Sequence, residues 1–368
     1  MPSETSHSVR PGLAPQEHAS TRMVALSFDG PSSPSVTLKG LQRPNRGQPF
    51  GWGFAWYPVQ SAAALVVKDA TSLGDNAMTK LLREWERFRS TIFVSHLRGT
   101  ARTLAEQDTH PFSRSFGGRE WVFAHNGDFD GFDIDQGINS VLPLASSVII
   151  PVGRTDSERA FCWLLEQCAA IGAYSLADVG WPRLHEWCRY LDGLGTANLM
   201  LTDGHDLAVY GDSSGYNRLH HGRLLPPNVP ALIQTEDVDI GLSDARDRTR
   251  TAVIFSTSQP EETKLKPMHD GQLLVVRRGA YIFDSHASPN DLKLMVSPLP
   301  SVDVALLPTA GPAQRPAGLQ AAAHGDNTGI SNELPVPNPK DPLPNAEGSL
   351  PNAEDPVLTA GPGESVLS

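Results

Sequence analysis

The chain has 368 residues, 39% of them hydrophobic and 19% charged, which is the composition of a globular protein with one large domain or two ordinary ones. No apolar run approaches the about 18 residues that a membrane helix needs, so no membrane partner is expected. A net charge of −11 argues against nucleic acid as the main partner, and the three cysteines (Cys162, Cys168 and Cys188) are too few for a disulfide framework or a zinc knuckle. A reducing, cytoplasmic setting is the expectation, with neither cofactor nor metal.

Met1–Ser20 is rich in Ser, Pro and His and lacks the apolar middle of a secretion signal, so it reads as a leader without strand or helix pattern. From Thr21 to about Phe283 the texture changes to short β-rich runs. Strands are predicted at Met23–Phe28, Trp52–Tyr57, Ala63–Lys68, Ile92–His96, Trp121–His125, Ala197–Thr202, Leu207–Tyr210, Ala252–Ser256, Leu273–Val276 and Ala280–Phe283. Helical spacing appears in Asn76–Phe88, Ser157–Ala169 and Trp181–Leu191, with Asp156 and Ser157 at the expected N-cap of the second. The order is strands, helix, strands, helices, then many strands. It suits an α+β fold of two stacked sheets with helices outside, and not a doubly wound parallel sheet.

Beyond this domain, Pro298–Ser368 carries 13 of the 31 prolines and no aromatic residue. Eight acids there face only Arg315 and Lys340, so the segment holds −6 of the total charge. Leu343-Pro344-Asn345-Ala346-Glu347 nearly repeats as Leu350-Pro351-Asn352-Ala353-Glu354. Such a composition cannot bury enough apolar surface to offset its ordering entropy, and a disordered tail is expected.

Five segments could carry chemistry. Gly51-Trp52-Gly53 opens a strand, either as a core strand with close backbone approach or as part of a pocket. Phe93–Thr100 runs an apolar strand into Arg98, which is either a solvated charge or a partner for an anion such as a ligand carboxylate. Asp108-Thr109-His110-Pro111-Phe112 alone reads as a loop. Trp121–Asp128 delivers Asn126-Gly127 at a strand end, which is a hairpin turn or an oxyanion hole made of a side-chain amide and a backbone N–H. Arg154-Thr155-Asp156-Ser157-Glu158 is a helix cap or a carboxylate that receives an ammonium group. Gly193-Leu194-Gly195 lacks the strand and helix that would frame a dinucleotide fingerprint, and His220-His221 lacks a third metal ligand at suitable spacing.

Together and in this order, Gly-Trp-Gly, His96-x-Arg98, Thr109-His110-Pro111-Phe112, His125-Asn126-Gly127 and Thr155-Asp156-Ser157-Glu158 resemble the class II glutamine amidotransferases. The likeness is to the small stand-alone type that includes the ergothioneine-pathway γ-glutamyl hydrolase. It spans the chain from the strand at Thr21 to about Phe283. It implies a four-layer αββα Ntn-hydrolase sandwich over residues 21–290, a leader at 1–20 and a tail at 298–368. It also implies that Arg98 binds the α-carboxylate of a glutamine-like substrate and Asp156 its α-amino group. Asn126 and Gly127 then hold the oxyanion, while Gly53, after Trp52, lines the pocket floor.

The departure is at the nucleophile. The family begins its first strand with Cys, four residues before the small residue matched by Ala25, and here that position is Thr21. Either the site is inactive, leaving a protein that binds a glutamine-like ligand, or threonine serves instead, as in other Ntn hydrolases. The second reading is physically coherent: a free N-terminal amine has a pKa of about 7.7–8.0 and can take the proton from Oγ of its own residue. It requires cleavage, autocatalytic or otherwise, between Ser20 and Thr21. An inactive chain has little reason to keep Arg98, Asn126, Gly127 and Asp156 in order. The expected activity is amide hydrolysis through an acyl-enzyme on Thr21, with a small γ-glutamyl or glutamine-like substrate. The alternative is a glutaminase subunit that passes ammonia to a separate synthase, since only the acidic tail follows Phe283; the partner expected is such a synthase or a second copy in a homo-oligomer.

Overall fold

The computed structural model describes residues 21–38, 50–59, 61–72, 89–98, 105–133, 138–139, 142–145, 148–226, 232–234, 238–241, 249–258 and 265–288. The expected leader Met1–Ser20, helix Asn76–Phe88 and tail Pro298–Ser368 lie outside them. The chain divides into two units, Met1–Ser301 and Val302–Ser368, and every described residue belongs to the first.

In chain order the strands begin with β1 (Arg22–Ser32), β2 (Ser35–Leu38), β3 (Phe50–Trp56), β4 (Leu65–Ser72), β5 (Ser90–Leu97) and β6 (Phe112–Phe116). There follow β7 (Arg119–Asn126), β8 (Phe132–Asp133), β9 (Ile138–Asn139), β10 (Asn198–Thr202), β11 (Leu207–Tyr210) and β12 (His220–Leu224). The last are β13 (Leu232–Gln234), β14 (Val238–Gly241), β15 (Ala252–Ser256), β16 (Lys266–Pro267), β17 (Leu273–Arg277) and β18 (Ala280–Asp284). Helices α1 (Asp156–Ala170), α2 (Leu176–Val179) and α3 (Trp181–Asp192) fall between β9 and β10.

Two antiparallel sheets dominate, ordered β16-β12-β15-β1-β5-β3-β4 and β18-β17-β11-β10-β7-β6. Their central strands, such as Ala252–Ser256 and Leu207–Tyr210, are buried on both faces, which is why their sequences run apolar without alternation. Met23, Ala25, Ala55, Ile92 and Val94 of the first sheet pack on Val122, Ala124, Met200, Val209 and Leu274 of the second. The opposite face of the second sheet, with Trp121, Phe123, Leu199 and Leu273, is covered by Phe161, Leu164, Leu184 and Cys188 of α1 and α3. The result is a mixed fold of two antiparallel sheets and few helices.

Local chemistry moves several predicted boundaries. The strand expected from Ala63 starts at Leu65, because the Ser61 hydroxyl bonds both the N–H and the carbonyl of Ala63 and holds a turn there. Tyr57 leaves the β3 ladder and donates its N–H to Ser90 Oγ. The N-cap of α1 is Thr155, whose Oγ1 accepts from Glu158 N, and not Asp156 or Ser157. That shift leaves the Asp156 carboxylate available for contacts outside its own helix. β6 occupies the end of the segment read as a loop, with Phe112 paired to Phe123. No helix among the described residues is long and apolar enough to cross a membrane.

The helical layer is held by large rings, notably Phe123 stacked on Phe161 at 5.3 Å between centroids. Phe161→Ala leaves a cavity against β7, and we expect urea denaturation to show a loss of about 3–5 kcal/mol.

Candidate active site

Strand register brings the candidate residues to one end of the inter-sheet space. β1 pairs Arg22 with Leu97 and Met23 with His96, so the next step outward sets Thr21 beside Arg98. β3 pairs Trp52 with Leu97 and Gly53 with His96, and Arg98 N donates to Gly51 O at 2.9 Å. Alternation along each strand puts Thr21 with Met23 and Ala25, and His96 and Arg98 with Ile92 and Val94, on the face turned to the second sheet. On that second sheet Asn126 follows Val122 and Ala124 on the inner face. Thr21 and Asn126 are both buried, at 9% and 4% exposure. A shared partner joins them: Asn217 Nδ2 donates to Thr21 O at 3.0 Å and to Asn126 Oδ1 at 2.5 Å.

Asn126-Gly127 is not a hairpin turn. Beyond it the chain keeps running antiparallel to residues 194–198: Asn126 pairs with Asn198, Thr196 N donates to Asp128 O, and Phe129 bridges Gly195. Gly127 has φ +154°, and a Cβ there would lie 2.0 Å from Thr196 O. Gly195 faces the same approach, its Cβ position being 2.1 Å from Asp128 O. Only glycine permits this contact. His125, on the other face, bonds Ser157 Oγ and Thr196 O and stacks on Phe129 at 4.3 Å.

The two charged groups meet the site through backbone links. Arg98 is half-buried, and its Nη1 donates to Asp108 O. The buried Asp108 carboxylate in turn accepts from Arg154 N at 2.7 Å, just before α1. Asp156 Oδ2 accepts from Phe129 N at 2.8 Å, and its Oδ1 accepts from Ser157 N. Glu158, also buried, accepts from Val152 N, Gly153 N and the Arg114 guanidinium, so the 152–158 corner is fixed from both sides. Arg98 is thus linked through Asp108 to Arg154, two residues before Asp156, and Asp156 is linked to Phe129, two residues beyond Gly127. Gly53 faces the Asp108–Phe112 segment, where a Cβ would come 2.2 Å from His110 O. The Trp52 ring points the other way, fully buried with Val24, Phe54 and Leu97.

The family model of the class-II glutamine amidotransferases matches residues 21–297. The chain belongs to that family. The match begins at Thr21. An uncharacterized protein of Methanocaldococcus jannaschii is 26% identical over 275 residues, covering 74% of each chain. The Escherichia coli protein YafJ, named provisionally as a glutamine amidotransferase, is 28% identical over 252 residues, 64% of this chain and 88% of its own. In fold, the chain is similar to a predicted glutamine amidotransferase from Pseudomonas aeruginosa, with a TM-score of 0.56 at 23% identity over 71% of this chain and 99% of the other.

The electrostatics of this amidotransferase domain single out Arg98. Burial, then Arg98 itself, pushes the His96 imidazole down to about 3, so its ring is neutral and its Nε2–H donates to His125 O. His110, stacked on His96 at 4.2 Å, is held well below its usual value by burial as well. The three cysteines sit in or against the helical layer, on the far side of the second sheet, and burial pushes each thiol up to about 12. None can supply a thiolate near Thr21. Sequence reasoning missed Asn217 and left Asp108 without a role. Asn217 stands in an ordinary loop sequence, Asp212-Ser-Ser-Gly-Tyr-Asn217, and its importance is legible only from what it touches.

A neutral buried histidine makes stability pH-dependent. The unfolded imidazole titrates near 6.5 and the folded one near 3, so stability is full above 6.5 and falls as the pH drops toward 3. Between pH 7 and 4.5, His96 accounts for about 2–3 kcal/mol of the loss. Urea titrations of the parent and His96→Gln check this: the variant's loss should be smaller by that amount, whereas parallel pH dependences would show that His96 is not buried in its neutral form.

Proposed function

We propose that this protein hydrolyses the side-chain amide of a γ-glutamyl or glutamine-like compound, with Thr21 as nucleophile once Met1–Ser20 has been removed. The observation that carries the reading is the junction of Thr21 and Asn126 through Asn217. The start of the family match at Thr21 agrees with it.

In this mechanism the freed α-amine of Thr21 takes the Oγ proton, directly or through a water, and Oγ attacks the amide carbon. Charge develops on the carbonyl oxygen, where the Asn126 Nδ2 and Gly127 N–H groups stabilise it. The proton passes to the departing nitrogen, the C–N bond breaks, and a Thr21 ester remains. Water, deprotonated by the same amine, then releases the acid and restores Oγ. Arg98 Nη1 donates to Asp108 O, and in this mechanism the guanidinium receives the substrate carboxylate. Asp156 Oδ1 accepts from Ser157 N and Ser157 Oγ and its Oδ2 from Phe129 N, so a second Oδ2 lone pair can accept from an ammonium group. Gly53 lets the His110–Pro111 segment pack directly against its strand, and Trp52 supports that strand from behind.

The test uses purified protein with γ-glutamyl-p-nitroanilide and L-glutamine. N-terminal sequencing of active protein should begin at Thr21. Thr21→Ala should abolish turnover, Thr21→Cys should keep it, and Asn126→Ala should lower kcat by about 10²- to 10³-fold. Arg98→Ala and Asp156→Ala should each weaken substrate binding by a few kcal/mol, read as about a hundredfold or more in KM. Full activity in protein that still begins at Met1, or in Thr21→Ala, would move the nucleophile elsewhere. Ligand binding without cleavage by any form would leave a binding protein.

A further inference from the structure

The loop 211–219 leaves β11 of the six-stranded sheet and enters β12 of the seven-stranded sheet, so it crosses between the two sheets that carry Asn126 and Thr21. We infer that Asn217, on this loop, is a positioning residue that sets the oxyanion donor against the nucleophile. The inference rests on the hydrolase reading above and adds to it a group that touches neither substrate nor the reacting atoms.

Thr21 O can only accept, so the Asn217 atom 3.0 Å from it is the amide nitrogen. The same nitrogen lies 2.5 Å from the Asn126 side chain, so the Asn126 atom facing it is Oδ1. One N–H goes to each acceptor. With Oδ1 held this way, the Asn126 Nδ2 is turned away from Asn217, as a donor to an oxyanion must be.

The loop is built to hold Asn217 still. Asp212 accepts from Ala197 N, Ser214 N and Tyr216 N. Asn198, fully buried and paired across strands with Asn126, donates to the carbonyls of both Tyr216 and Asn217. Asn217 itself sits at φ +34°, a left-handed conformation that asparagine tolerates better than most residues and that persists only where the surroundings fix it. These contacts let one side chain fix the separation of two groups that belong to different sheets.

The experiment compares the Thr21-initiated parent with Asn217→Asp and Asn217→Gly, using γ-glutamyl-p-nitroanilide and L-glutamine. Aspartate keeps the size and the backbone preference but cannot donate; glycine keeps the backbone and removes the side chain. A misplaced oxyanion donor should lower kcat by about a hundredfold, with KM within about twofold and little change in thermal midpoint. If Asn217→Asp does not fold, Asn217→Gly carries the same expectation. A kcat within about twofold of the parent in the folded variants, or a loss confined to KM, would overturn the role of Asn217 while the hydrolase reading stands. A parent that cleaves neither substrate and forms no acyl product would overturn both.

Discussion

The spacing between the inner faces of the two sheets governs everything else in this domain. Thr21 and Arg98 extend from β1 and β5, whereas Asn126 ends β7, and no segment of sequence carries both sets. Their relation is therefore fixed by the inter-sheet core of Met23, Ala25, Val94, Val122, Ala124 and Met200. Small side chains at 25 and 124 allow close approach near the site, and rigid packing of such a core resists change in that distance. Asn217, on a crossing loop, then couples the two faces by hydrogen bonds to Thr21 O and Asn126 Oδ1.

Much of this was legible in the sequence, for identifiable reasons. Strands such as β11, β15 and β17 announce themselves because they are buried on both faces and run apolar. The motifs around Arg98, Asn126-Gly127 and Asp156 lie at strand ends and a helix start, where spacing along the chain reflects place in the fold. What could not be read is non-local. Asn-Gly imitates a hairpin turn, and only the continued pairing with residues 194–198 excludes it. The cap of α1 could have fallen on any of three polar residues, and Thr155 takes it because its hydroxyl reaches Glu158 N. Asn217 has no motif of its own, since its partners are 196 and 91 residues away.

In the proposed mechanism, threonine in place of cysteine changes what the site must provide. A thiol is partly ionised near neutral pH and is intrinsically nucleophilic, whereas a hydroxyl must lose its proton to a base as it attacks. The burden on the α-amine of Thr21 is correspondingly greater. The nearby His96 is neutral, so its ring adds no second cation beside Arg98. Arg98 keeps its positive charge beside that neutral ring.

The central claim is that bond-making occurs at the Thr21 hydroxyl. Acid quenching of the enzyme during turnover of γ-glutamyl-p-nitroanilide, followed by proteolysis and mass spectrometry, reads this directly. The account predicts a glutamyl ester on the peptide that begins at Thr21, with fragmentation placing the added mass on that residue. A glutamyl adduct on another side chain, or rapid turnover with no adduct on any peptide, would contradict it.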